Sequence, residues 1–367
     1  MTRVALLVCH LSGSGHLART LTLARALAAA GAEPLVISGG RPLPHLDPGP
    51  VALAQLPPLR VEGHDYATLR DAEGRPADGA LMARRADMLA GLIGEFRPDA
   101  LVTELFPFGR RILAAEFEAA LRRADSPAFC SVRDLPEPPR KPARYAETEE
   151  RLRRWYRAAL VHGDAARAPL SRAWTQAESV ADLTLHTGYV AEPLPPPEGD
   201  PDEILVAEGG GALGADLLAC AVEAARGDAR MWRLRVGGAD AEARIAALRR
   251  RAAGAPVVVE RAGPDYRARL GAAAASVSLF GYNTAVDLLQ SRTPAVIAPF
   301  AEAGEREQTL RADAFAGLPQ FERLDAARLS PEALRAAAAR AVARGRGPAS
   351  SVDLDGAARS AALILSR

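Results

Sequence analysis

Residues 4–19 read VALLVCHLSGSGHLAR, and this stretch decides the fold. Residues 4–9 are an unbroken apolar run, the pattern of a strand buried on both faces. A glycine-rich turn follows, and a Leu- and Ala-rich helical pattern then runs over 16–30. Gly31 ends that helix, as glycine at a helix C-terminus does, and 34–37 begins the next strand. Strand, glycine loop, helix and strand form the repeating unit of a parallel α/β sheet covered on both faces.

The same rhythm recurs outward from this unit. Strands are expected at 100–103 and 128–132, with a helix over 110–123 between them. Residues 191–201 (AEPLPPPEGDP) hold four prolines within five positions, so they read as an extended linker rather than a helix. The pattern then restarts, with a strand at 204–207, a turn at 209–211 and a helix over 212–225. Further strands are expected at 232–236, 256–260, 276–279 and 295–298. The 367 residues thus divide into an N-terminal α/β domain (1–190), a Pro-rich linker (191–202), a second α/β domain (203–350) and a terminal helical segment (351–367).

Composition narrows the function classes. Lys plus Arg number 46 and Asp plus Glu 45, a net charge of +1, so the chain carries no overall signature of nucleic-acid binding. Lys141 is the only lysine, which with the abundant alanine reads as high-GC codon usage. Cys9, Cys130 and Cys220 lie far apart without CxxC spacing, which argues against a disulfide framework or zinc site and for small core residues. The N-terminus lacks a signal-peptide pattern, and no apolar stretch reaches the ~18 residues of a membrane span. The expectation is a cytoplasmic protein with at most peripheral membrane contact.

Three loops at strand ends carry the polar chemistry. The first holds Ser12, Gly13, Ser14, Gly15 and His16. Its glycines permit close backbone approach, and the helix start attracts negative charge. The GxGxxA pattern also fits a dinucleotide loop, but that reading needs a carboxylate near the end of the next strand. Ile37-Ser38-Gly39-Gly40 supplies none. His16 at a helix start is favoured in its neutral form. It reads as a general base, or as a residue that merely caps the helix or binds acceptor hydroxyls. The second loop, Glu208 to Gly214, contains Gly209, Gly210 and Gly211 before a helix, suited to a diphosphate or to a plain tight turn. The third holds Gly281, Asn283 and Thr284, with Asp287 one turn on and able to accept from ribose hydroxyls. Glu307 and Gln308 begin a later helix and suit a polyol or base. A Gly-Lys-Ser/Thr loop, a GxSxG elbow and an HExxH pair are all missing, against nucleotide kinases, serine hydrolases and zinc hydrolases.

These stretches together resemble the GT-B glycosyltransferases of the family 28 type, the group containing the lipid II-forming N-acetylglucosaminyl transferase. The resemblance is stronger to a bacterial branch described as predicted glycosyltransferases. It rests on GSGHLART, TELFPFGRR, SVRDL, VHGD, HTGYV, EGGGALG, GYNTAVDLL and EREQTLRA, spread over most of the chain. It implies two Rossmann-like domains facing across a cleft, acceptor on the first and nucleotide sugar, commonly a UDP-sugar, on the second. The last helix would cross back to the first domain. It further implies inverting, metal-independent transfer, with no cofactor besides the nucleotide-sugar co-substrate. The acceptor would be a small molecule, glycan or lipid-linked hydroxyl. By position, His16 matches the family's loop histidine, Gly209 to Gly211 the diphosphate loop, Asp287 the ribose-binding acid, and Glu307 and Gln308 the sugar-contacting pair. Glu104, at a strand end, is a second candidate base. Phe300 and Glu208 depart from the branch pattern, and both bear on the donor side. Arg110 and Arg111 after Phe106-Pro107-Phe108 read either as a membrane-facing patch or as solvated arginines beside core aromatics. The competing functions on this fold are a nucleotide-sugar 2-epimerase and a non-catalytic nucleotide-sugar binder.

Overall fold

The computed structural model describes residues 1–366 except 64, 140, 209–213, 239, 300–305 and 350. The chain divides into two compact units, one of residues 1–192 with 353–367 and one of residues 193–352.

In the first unit, strand β1 (Arg3–Val8) leads through the glycine loop into helix α1 (Gly15–Ala29). β2 (Glu33–Ser38) and β3 (Ala52–Gln55) follow, then a short antiparallel hairpin of β4 (Arg60–Glu62) and β5 (Asp65–Arg70). The chain continues through α2 (Gly79–Phe96), β6 (Ala100–Glu104), α3 (Ala114–Ala124), β7 (Ala128–Arg133), α4 (Ala143–Trp155), β8 (Ala158–His162) and β9 (Thr184–His186). Seven strands pair in parallel in the order β3-β2-β1-β6-β7-β8-β9.

The expectation of a first strand buried on both faces holds residue by residue. Ala5, Leu7 and Cys9 join one core with Leu89 and Ile93 of α2, Phe117 of α3 and Leu152 of α4. Val4, Leu6 and Val8 face the other way, into a core with Leu17, Leu21 and Leu27 of α1. A strand between two helical layers has no polar face to offer, which is why its sequence is continuously apolar.

The second unit runs β10 (Ile204–Ala207), α5 (Ala215–Ala225), β11 (Trp232–Val236), α6 (Ala241–Arg251), β12 (Val257–Arg261), α7 (Tyr266–Ala272), β13 (Ala275–Ser278), α8 (Tyr282–Ser291), β14 (Ala295–Ile297), α9 (Glu307–Phe315), β15 (Phe321–Arg323) and α10 (Pro331–Arg344). Its six strands are parallel, in the order β12-β11-β10-β13-β14-β15. Helix α11 (Gly356–Leu365) belongs to the first unit, where Ala361 and Ile364 join the core beneath α1.

Counted along the chain without the hairpin, both sheets have the doubly wound order 3-2-1-4-5-6, the first extended by one strand. In such a sheet the connections leave in opposite directions from the first and fourth strands. The crevice at the C-terminal ends of those two strands is where ligands bind. Here it lies at β1/β6 in one unit and β10/β13 in the other. No helix among the described residues is long and apolar enough to cross a membrane.

Leu6 is fully buried between β1 and α1. Leu6→Ala should cost about 2–5 kcal/mol, lost transfer energy plus a cavity, read as a lower denaturant midpoint with unchanged cooperativity.

Candidate active site

At the β1/β6 crevice the glycine loop brings His16 to the first turn of α1, and β6 ends on Glu104. His16 Nδ1 lies 2.8 Å from Glu104 Oε1. Arg19, one turn further along α1, ion-pairs with the same carboxylate oxygen. Arg19 Nη2 is also 3.5 Å from His16 Nδ1. A guanidinium can only donate and an anionic carboxylate can only accept. Both nitrogens therefore converge on Glu104, Nδ1 carries the imidazole proton, and the lone pair is on Nε2.

The charge states follow from burial. Glu104 is 1% exposed and Arg19 3%, whereas His16 retains 15% of its side chain at the surface. Burial alone would raise the Glu104 pKa, but His16 and Arg19 overcome it and hold the carboxyl well below its usual range. His16 is lowered to about 4, first by burial and then by the arginines, against the pull of Glu104. Burial, rather than the helix position, is the first cause of this lowering.

Sequence alone leaves His16 and Glu104 as alternative bases, and the structure joins the two side chains. Glu104 is sealed from solvent and receives two donors on Oε1. Its other oxygen, Oε2, has no hydrogen-bond partner among the described residues.

The surroundings are equally polar and equally buried. His162, at the end of β8, accepts from Ser131 Oγ through Nε2 at 2.8 Å. Its Nδ1 donates to Thr187 Oγ1 at 2.9 Å, and that hydroxyl donates to the Gly188 carbonyl. Burial lowers His162 to about 3, with Arg19 adding to the effect. His10, at the end of β1, is lowered by burial to about 4. A Cβ on Gly40 would fall 2.6 Å from the His10 ring, and one on Gly39 would fall 2.7 Å from Arg85 Nη2. The end of β2, where a dinucleotide fold needs an acid, is thus filled by His10 and by Arg85, whose Nη1 donates to the Gly39 carbonyl. Phe106 and Phe108 are buried, Phe106 stacked on Phe117 and Phe108 edge-on to Trp174. They are core aromatics, not a membrane-facing patch. Ser14 is the residue before α1 and makes no side-chain cap, and Gly15 is the first residue of the helix.

The remaining candidates belong to the second unit. Gly209, Gly210, Gly211 and Phe300 lie outside the described residues. Glu208 ends β10 with its carboxylate turned inward, accepting from Gly237 N at 3.0 Å and paired with Arg244. Gly281 precedes α8 in extended conformation with open space beside it, and Asn283 and Thr284 lie half-buried in the first turn. Asp287 pairs with Arg267 Nε of α7 at 2.8 Å. Burial pushes its pKa up to about 6 even though Arg267 opposes the shift. Gln308 Oε1 accepts from Phe280 N at 2.9 Å, and Glu307 accepts from Arg311 Nη2 at 2.6 Å. Arg311 in turn donates to the Phe280 carbonyl at 3.0 Å. The start of α9 therefore supports the turn that precedes α8. Among the described residues, no group of three or more His, Cys, Asp and Glu could hold a metal ion.

No family model matches the chain, and no curated protein matches it by sequence. Solved structures do. MurG of Acinetobacter baumannii aligns over 100% of both chains at 15% identity with a TM-score of 0.62. TcCGT1, solved in complex with UDP, aligns over 100% of this chain and 94% of its own at 14% identity with a TM-score of 0.59. The glycosyltransferase VinC, solved in complex with dTDP, aligns over 99% and 94% at 17% identity with a TM-score of 0.54. The chain therefore has the GT-B fold of glycosyltransferases, two Rossmann-like domains in succession.

Between the unfolded imidazole pKa near 6.5 and the folded values of about 3–4, the unfolded chain binds more protons at His10, His16 and His162. Stability should therefore fall as pH drops from about 6.5 toward 4. Denaturant midpoints measured across that range test this, and a flat profile would contradict it.

Proposed function

We propose that the protein is an inverting, metal-independent glycosyltransferase that moves a sugar from a nucleotide diphosphate sugar, with UDP or dTDP as the nucleotide, to an acceptor hydroxyl. The observation that carries this reading is the neutral His16 oriented by Glu104 at the β1/β6 crevice. Nε2 takes the hydroxyl proton as the acceptor oxygen attacks the anomeric carbon. The bond from that carbon to the diphosphate oxygen breaks on the opposite face, which inverts the centre. The buried Glu104 carboxylate then stabilises the imidazolium.

The donor would bind in the second unit. Backbone N–H groups at the start of α8, beside Gly281, Asn283 and Thr284, suit the leaving diphosphate. With Gly209 to Gly211 they would form its cradle. Asp287, held by Arg267, suits two ribose hydroxyls, and Glu307 and Gln308 stand near enough to the same turn to suit the sugar. The fold is shared with structures solved with UDP and with dTDP, which supports a nucleotide of that kind. A 2-epimerase would convert donor without acceptor, and a binder would hold nucleotide without turnover.

His16→Ala should lower turnover by about a hundredfold or more, measured as the rate of nucleotide release with acceptor present, and a chelator should not slow the native protein. A wild-type rate in this variant would remove His16 from the mechanism. Asp287→Ala should weaken UDP binding about tenfold. In the native protein UDP binding should also weaken below about pH 6, where Asp287 takes up a proton. Calorimetry at pH 5 and pH 8 checks both.

A further inference from the structure

The loop that follows Glu104 is fixed far more tightly than a surface connection. Leu105 and Arg110 both adopt the left-handed region, with φ of 65° and 58°. Residues without glycine's freedom persist there only where surroundings over-determine the backbone, which is common at ligand sites. The surroundings here do so. Thr103 Oγ1 donates to the Phe106 carbonyl at 2.9 Å, Gly109 N donates to the Leu105 carbonyl at 2.8 Å, and Phe106 and Phe108 are locked into the core.

The product of this arrangement is the placement of Arg110. Its Nε donates to the Cys9 carbonyl at 2.6 Å, so the guanidinium is tied to the end of β1, next to His10 and the glycine loop. Its two terminal nitrogens have no hydrogen-bond or ion-pair partner among the described residues, and the residue is only half-buried. Glu104 is nearby but already neutralised by Arg19. Arg41, exposed and likewise without a partner among the described residues, acts electrostatically on the same His10. The crevice thus holds a surplus of positive charge around one immobilised fork. A guanidinium held by Nε, with its Nη pair open, has the geometry that takes an oxyanion through two parallel hydrogen bonds.

We propose that Arg110 is a specificity-determining residue that binds a carboxylate or phosphate carried by the acceptor, close to the hydroxyl that His16 deprotonates. This rests on the glycosyl-transfer reading for the identity of the acceptor, but the oxyanion site itself is built from the first unit alone. The acceptors selected would be hydroxy acids or phosphorylated alcohols rather than neutral polyols.

Calorimetric titration of the full chain with glycerol 3-phosphate, lactate and glycerol, with and without excess UDP, tests the proposal. The wild type should bind glycerol 3-phosphate or lactate at least about tenfold more tightly than glycerol, and the stronger of the two identifies the group. Arg110→Gln should abolish that preference. Arg110→Lys, which keeps the charge and loses the fork, should retain only part of it and keeps the test open if the glutamine variant does not fold. UDP should leave the anion affinity unchanged. An anion preference missing in the wild type or undiminished in Arg110→Gln would overturn the proposal. So would competition by UDP, which would assign Arg110 to the donor diphosphate. Arg110-dependent anion binding in a protein that binds no UDP would support the site and count against glycosyl transfer alone.

Discussion

A carboxylate removed from water at the end of a central strand governs the first unit. Glu104 is sealed into the β1/β6 crevice, where an unpaired charge would cost several kcal/mol. Arg19 supplies the countercharge and His16 the hydrogen bond, both from the first two turns of α1. One carboxylate oxygen therefore fixes the position of α1's N-terminal turns and the tautomer of His16, while burial keeps the imidazole neutral. The doubly wound strand order places this cluster where such sheets open to ligands.

The second unit handles its acids in the same way. Glu208 is paired with Arg244, Asp287 with Arg267 and Glu307 with Arg311, while Glu116 of the first unit accepts from Nε and Nη2 of Arg85. The near-complete use of arginine, whatever its origin in codon usage, thereby has a structural consequence. A planar fork can hold a carboxylate with two nitrogens and still donate to a backbone carbonyl, as Arg85 does with Glu116 and Gly39, and Arg311 splits its Nη pair between Glu307 and the Phe280 carbonyl. A lysine ammonium at these positions would supply charge without that shape.

Much of the architecture was legible because buried parallel strands are short apolar runs separated by amphipathic helices, as at 4–9 and 204–207. One buried apolar run, β8 at Ala158–His162, was passed over although it carries this signal, and other strands lack it. β3 has four residues, two of them exposed, and β9 and β15 have only three each. In the crevice, the glycine loop, His16 and Glu104 were each visible as motifs. Their pairing was not, because 88 residues separate them. Arg19 could have been read from its spacing, since position i+3 on a helix shares a face with His16. Arg110 could not, because its placement depends on left-handed backbone at two non-glycine residues, which no residue pattern announces.

At the centre of the site, burial keeps His16 neutral and Glu104 holds its proton on Nδ1. Nitrogen-15 NMR of the histidine side chains through a pH titration tests it without any knowledge of the acceptor. His16 should keep the Nδ1–H tautomer from pH 8 down to pH 5 and protonate only near pH 4. A midpoint close to the ordinary 6.5, or a proton resident on Nε2, would contradict it.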